Sequence, residues 1–539
     1  MWPVPVLIPG IMASFLGLFP SIPEKHVDNG VASLVSRGNH VRGSNREDCS
    51  MTSSFLQQLH PSMTEVLSYE TRYYNNTVDH LNPFSEDPPR FSHRYLINDT
   101  FFGKISHDDN IDMQSDNCPG PILLYAGNEG DITEFWNANG FMQYLAVKYG
   151  GLLLFPEERY YGKSFPSTDM RYLTTQQVLE DYIELLDHVK TEYQATSCPT
   201  IAFGGSYGGT LAAFLRSAYP FSIQGALASS SELGYYDING WESRGISEYT
   251  FAEIVATQYN KTEGCLKAIW ETAELLDAMS DSADDRTMII KTFNFCDESA
   301  LQPFPSSLFV YGLEGLPQQN YPYPVGGLPA WPVQAVCEIL TAETSDSLLQ
   351  RAAKVTALSM RYSLDGTCLS IPPEGPGNVP GDGPGQGSWG YQSCTETLHS
   401  FSSVARDSSR PGLRNYDIVQ ESSNLKRICH DLYGVQPNIN ILKSRYGGFD
   451  VAKTTSNTIF SSGALDPWGG AELTVNDGGP DAKERGVHFF LIANGAHHLD
   501  LRGWSYADPA DVKETRQKEE EIIVGWMKDW FQASIVATE

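Results

Sequence analysis

The sequence has no CxxC pair, little positive charge and, after Pro20, no apolar run long enough to cross a bilayer. Each lack closes a class of function. Without paired cysteines a zinc site is not expected, and nothing in the chain calls for a metal or any other cofactor. With 37 Lys and Arg against 66 Asp and Glu the net charge is -29, which argues against nucleic acid and anionic membranes as partners. The N-terminus is the one candidate for membrane or export. Residues 4–20 (VPVLIPGIMASFLGLFP) are apolar but proline-broken, and no basic residue precedes Lys25. That fits an imperfect secretory signal better than an anchor. Residues 1–23 are expected to be a signal peptide, and the polar residues 24–65 a propeptide or loose arm.

At 539 residues the chain exceeds one ordinary core, which predicts a large domain with an insertion, or two domains. Its nine cysteines are Cys49, Cys118, Cys198, Cys265, Cys296, Cys337, Cys368, Cys394 and Cys429. Unpaired in sequence, they point to disulfides in a secretory compartment, and sequons at Asn75, Asn98 and Asn260 agree with glycosylation there. The run from Cys265 to Cys429 reads as a separately stapled region.

Residues 200–209 (TIAFGGSYGG) carry a β-prone run into glycines with one serine at the turn, and a small-residue helix pattern follows. This is the form of a nucleophile elbow, in which the serine stands on a strained turn that only small neighbours permit. Ser206 is the candidate nucleophile. Taken alone, the stretch fits a glycine-rich turn with a solvated serine equally well.

Around it, strands alternate with helices, the sign of a parallel α/β sheet. Strands are predicted at 121–126, 151–155, 224–228, 457–461 and 487–492, with helices at 141–148, 174–193 and 512–531. From 232 to 440 the alternation stops, and helix-like stretches surround a proline- and glycine-rich loop at 371–387. The expected organisation is a first part of the sheet domain at 66–231, a helical insertion at 232–440 and the second part of the sheet domain at 441–539.

In such hydrolases the triad runs Ser, then Asp or Glu, then His, each on a loop after a strand. The loop after 457–461 offers Asp466, and the loop after 487–492 offers His497 and His498. The serine needs an imidazole to take its proton, and the imidazole needs a carboxylate to hold one tautomer. Oxyanion donors are expected from the Tyr207 N–H and from about Asn128 on the loop after 121–126. Glu129 and Asp131 share that loop, either as turn residues or as acids for a substrate amine.

GNEGD at 127–131, ERYYGKS at 158–164, GGSYGG at 204–209, LPAWP at 328–332, LDPW at 465–468 and GAHHLDLR at 495–502 resemble the lysosomal Pro-X carboxypeptidase and dipeptidyl-peptidase II family of serine peptidases. The resemblance implies an α/β-hydrolase domain with a helical, disulfide-bearing insertion, and cleavage after proline. It implies Ser206 as nucleophile, Asp466 as orienting acid and His497 as base. Trp468 is implied as a wall of the proline pocket. The implied pairs are Cys265–Cys337, Cys296–Cys368 and Cys394–Cys429, with Cys49, Cys118 and Cys198 unassigned. Two positions depart from the family pattern: Glu158 stands where histidine is common, and Thr210 where some members carry a larger apolar residue.

The expected activity is a secreted, lysosomal or vacuolar serine exopeptidase for proline-containing peptides, leaning to release of N-terminal X-Pro dipeptides. A Pro-X carboxypeptidase, an esterase and a non-catalytic hydrolase-fold binding protein are the alternatives. Assembly as a homodimer is left open.

Overall fold

The computed structural model describes residues 66–536 except 83, 85–86, 105–117, 303, 371–387, 398, 400, 406–411, 416 and 439. The expected signal peptide, the loose arm, Cys49 and the 371–387 loop lie outside the described residues.

The sheet has eight strands: β1 (Glu70–Thr77), β2 (Arg90–Asn98), β3 (Ile122–Tyr125), β4 (Leu152–Pro156), β5 (Thr200–Gly205), β6 (Gly225–Ser229), β7 (Thr458–Gly463) and β8 (Val487–Ile492). Their order is β1-β2-β4-β3-β5-β6-β7-β8; β1, β2 and β4 pair antiparallel and the rest parallel. Strands β3 to β7 are buried throughout, which is why each reads in sequence as a short continuous apolar or small-residue run. β1 and β2 were not among the predicted strands. β1 is a half-exposed edge strand of polar and aromatic residues, with no apolar run to mark it.

Helices α1 (Ile132–Ala138) and α2 (Gly140–Tyr149) cross from β3 to β4. α3 (Thr175–Glu192) runs from β4 to β5, its first turn capped by the Thr174 side chain. It buries Val178, Leu179, Tyr182, Leu186 and Val189, the 3.6-residue stripe that the sequence shows. α4 (Tyr207–Ala218) leaves β5 directly through Ser206.

Between β6 and β7 the described residues form helices and loops but no further strand of the sheet. They include α5 (Thr250–Asn260), α6 (Cys265–Ala278), α7 (Ala283–Phe293), α8 (Ser307–Gly315), α9 (Pro332–Thr341), α10 (Leu348–Ser359), α11 (Ser388–Thr395) and α12 (Ile418–Tyr433). The molecule is thus an α/β-hydrolase sheet interrupted by a largely helical, disulfide-bearing insertion. Cys265–Cys337 joins α6 to α9, Cys296–Cys368 closes the loop after α7, and Cys394–Cys429 joins α11 to α12. The last helix, α13 (Ala510–Val536), lays Ile523, Trp526 and Met527 against the sheet.

A fourth disulfide, Cys118–Cys198, joins the chain just before β3 to the chain just before β5. Both cysteines are buried at the end of the sheet opposite the elbow. Replacing the pair by alanine is expected to lower stability by about 2–4 kcal/mol through the loop it closes, read as a lower denaturant midpoint. An unchanged midpoint would refute that role.

Of the three sequons, Asn75 and Asn260 are exposed. Asn98 is buried and its side-chain nitrogen donates to the Ser68 carbonyl at 2.7 Å. That nitrogen is not presented for a glycan, so the expectation for Asn98 is withdrawn.

Candidate active site

Strand order reverses direction at β3: the chain leaves β3 for β4 on one side and returns to β5 on the other. The crevice at the carboxyl ends of β3 and β5 is therefore where an open α/β sheet places a ligand. Two loops meet there, 127–131 after β3 and the turn at Ser206 after β5.

Ser206 has φ 59° and ψ -131°, a strained backbone for a residue with a side chain. Its neighbours leave no room for alternatives. A Cβ on Gly204 would lie 1.9 Å from the Gly208 carbonyl oxygen, and one on Gly208 would lie 2.8 Å from the Ala126 carbonyl. The strain lifts the Ser206 hydroxyl over the end of the sheet and puts Tyr207 first in α4. Its N–H is one of the donors that a helix start leaves without an intrahelical partner, as an oxyanion hole requires.

Asp466 follows β7 and is fully buried. Its Oδ1 accepts from the Trp468 backbone N–H at 3.1 Å, and its Oδ2 lies 2.7 Å from His497 Nδ1. The carboxylate can only accept, so the proton sits on Nδ1 and Nε2 is left for the nucleophile. The insertion holds the backbone of the same residue: the His497 main-chain N–H donates to the Gln318 carbonyl at 3.0 Å and Tyr321 OH to the His497 carbonyl at 3.0 Å. His498 points elsewhere. Its backbone has φ 37°, its N–H donates to Ser230 Oγ, and its ring packs beneath Gly205.

Asn128 is bonded on both sides, accepting from Tyr125 OH at 3.0 Å and donating to Glu129 Oε2 at 2.9 Å. The loop's register comes partly from α3, where Tyr182 OH donates to the Gly127 carbonyl at 2.5 Å. Glu129 is buried beside Glu232 and His497, and burial and the Glu232 charge push its pKa up to about 7. Asp131 is a correction. Its carboxylate caps α1 through Thr133 N–H at 3.0 Å and pairs with Arg94 at 2.6 Å, so it is already committed and is not a second amine acceptor.

Trp468 is buried in an aromatic cluster with Tyr235, Phe251 and His399, at ring-centroid distances of 5.2, 5.0 and 5.2 Å. Its indole N–H donates to Gln318 Oε1 at 3.0 Å, so one glutamine of the insertion steadies both the indole and the base. Glu158 is buried beneath the elbow helix, where Gln392 donates to its Oε1 at 3.0 Å. Burial pushes its pKa well up. Thr210 is buried on the inner side of α4.

The sequence reading missed Glu232, on the loop after β6. The Ser206 hydroxyl donates to Glu232 Oε1 at 3.0 Å. Tyr236 OH donates to Oε2 at 2.8 Å, and His399 Nε2 lies 3.3 Å from the same oxygen. Burial pushes the Glu232 pKa up, but His399, Tyr236 and His497 outweigh it and hold it below the ordinary carboxylate value. Burial pulls the His497 pKa down, yet Asp466, Glu232 and Glu129 hold it above the ordinary imidazole value. No group of three or more His, Cys, Asp or Glu among the described residues is arranged to hold a metal ion.

The sequence model of the family described as serine carboxypeptidase S28 matches residues 76–519. The chain belongs to the S28 family. It is 32% identical over 494 residues to the lysosomal Pro-X carboxypeptidase of Homo sapiens, covering 87% of this chain and 90% of that one. The mouse protein of that name is 31% identical over 493 residues, covering 87% and 92%. Prolyl carboxy peptidase like protein 5 of Caenorhabditis elegans is 29% identical over 490 residues, covering 86% and 90%. As an S28 member the chain is a serine-type peptidase, and no helix among its described residues is long and apolar enough to cross a membrane.

Proposed function

We propose that this peptidase cleaves after proline in short peptides through an acyl-enzyme on Ser206, with His497 as base and Asp466 as its orienting acid. In this reading it releases N-terminal X-Pro dipeptides in a secretory or lysosomal lumen. The observation that carries the direction of cleavage is the pair of buried carboxylates, Glu129 and Glu232, next to His497. Like charges held out of water raise one another's energy, and a substrate ammonium would relieve them. A C-terminal carboxylate would not. The flat face of Trp468 suits a pyrrolidine ring, which supports its place as a wall of the proline pocket.

The second reading, release of one C-terminal residue, is favoured by the names of the human and mouse relatives. Comparing an X-Pro-reporter with N-blocked X-Pro-Y peptides separates the two. In the dipeptidyl reading Glu129→Gln lowers kcat/KM on the X-Pro-reporter by roughly thirtyfold or more, about 2 kcal/mol or above for a desolvated charge that loses its partner. N-acetylation should make substrates poor for the parent enzyme. If acetylation makes no difference and a free C-terminal carboxylate is essential, the carboxypeptidase reading takes its place.

A further inference from the structure

We propose that Glu232 is a second general base for Ser206, alongside the arm formed by His497 and Asp466. The diagnostic geometry of an activated nucleophile is a base within hydrogen-bond reach, itself oriented by a third group. Two arms at this site have that form. In one, Asp466 orients His497. In the other, Glu232 Oε1 accepts directly from the Ser206 hydroxyl at 3.0 Å, while Tyr236 OH donates to Oε2 and His399 Nε2 lies 3.3 Å from it. The second arm is the one engaged with the nucleophile in this structure. Glu232 and His399 are both fully buried, so bulk water does not compete for the contact.

The ionisable groups facing Glu232 come from three other segments and from its own: Glu129 after β3, His399 after α11, His497 after β8, and Tyr236 beside it in the chain. Together they divide the labour by pH. The carboxylates around His497 favour its protonated form, in which it has no lone pair for the serine proton. Glu232 stays ionised to lower pH, because His399, Tyr236 and His497 favour its charge. A carboxylate is a weaker base than imidazole, so this arm is the slower one and matters where neutral imidazole is scarce.

The step balances without a co-reactant. As Oγ bonds to the acyl carbon, its proton passes to Glu232 Oε1 and the carbonyl electron pair moves onto oxygen. On collapse the carbon–nitrogen bond breaks, and the leaving amine takes a proton from the imidazolium of His497. Water then attacks the acyl carbon and gives its proton to the now neutral His497. Expulsion of Oγ returns the Glu232 proton to Ser206, and both arms regain their starting charge.

The test is the second-order rate at which a fluorophosphonate labels Ser206, followed from about pH 8 to about pH 4.5. Labelling expels fluoride, needs no protonated amine, and does not depend on which end of a peptide the enzyme reads. A wrong choice between dipeptidyl and carboxypeptidase activity therefore leaves it untouched. The parent rate should level off on the acid side, while Glu232→Gln continues to fall by about tenfold per pH unit. A Glu232 that acts only as a charge predicts the opposite: its removal lowers the His497 pKa and raises the acid-side rate relative to the neutral one. That outcome, or a constant factor at every pH, overturns the proposal. A second measurement covers poor folding of Glu232→Gln. His497→Ala should retain acid-side labelling that rises with the ionisation of a carboxylate, and the absence of any such labelling also overturns the proposal.

Discussion

Replacing His497 with alanine should cost on the order of a thousandfold or more in turnover at neutral pH, because triad members act as a unit. The same change at His498 should be mild. The two rings sit side by side, 4.5 Å between centroids, yet only His497 has a carboxylate on Nδ1, the 2.7 Å contact to Asp466. Burial, the neighbouring His497 and Arg502 push the His498 pKa well down, and its ring packs beneath Gly205. Its loss should appear as a lower melting temperature more than as a lower kcat. Steady-state kinetics on both variants decide the matter, and the reverse ranking would mean that the wrong ring has been assigned.

Arg159→Met should destabilise the fold by about 3–5 kcal/mol, the usual effect of leaving a buried ion without its partner. Arg159 and Asp181 are both fully buried. The guanidinium meets the carboxylate in a fork, Nε to Oδ2 and Nη2 to Oδ1 at 2.6 Å each. Its remaining donors go to the carbonyls of Val78, Tyr172 and Thr77, so every N–H is used. Burial pushes the Asp181 pKa up, but Arg159 and His80 hold it below the ordinary value. A depressed carboxyl stabilises above its unfolded pKa, and that contribution is lost as pH falls through the folded value. The variant should therefore show a lower urea midpoint at neutral pH with an unchanged slope, and the gap to the parent should narrow in acid. A midpoint equal to the parent's would refute the assignment.

That residue also shows what a motif can carry. ERYYGKS marked the resemblance, but the structure gives Arg159 the task of tying the loop after β4 to α3, with no contact to the nucleophile. The elbow was legible because only glycine survives beside a strained serine, and the central strands because burial on both faces demands continuous apolar runs. Glu232 and Gln318 were not legible. Each is a single polar residue, Glu232 in a loop and Gln318 in one short 3-10 turn, with no spacing or period to set it apart, and its meaning comes from residues far along the chain. Cys118–Cys198 was hidden for a related reason, since spacing cannot choose connectivity. Asp131 was open to a better reading: an Asp followed three residues later by Glu134 is a helix-start signal, and that is the role it plays.

The position of the insertion sets the order in which the enzyme comes into being. Ser206 and β6 leave the ribosome before the insertion, whereas β7, Asp466 and His497 follow it. Until residues 458–461 pair with 226–229, β6 is an open sheet edge on the nascent chain, a template for wrong partners. The nucleophile is equally unfinished. His399, which lies beside Glu232, and Gln318, which holds the His497 backbone, are made within the insertion itself. With the triad proposed above, a chain arrested at any point before residue 497 carries Ser206 without its base, so the order of synthesis would keep the peptidase from acting on its neighbours while they are still being made.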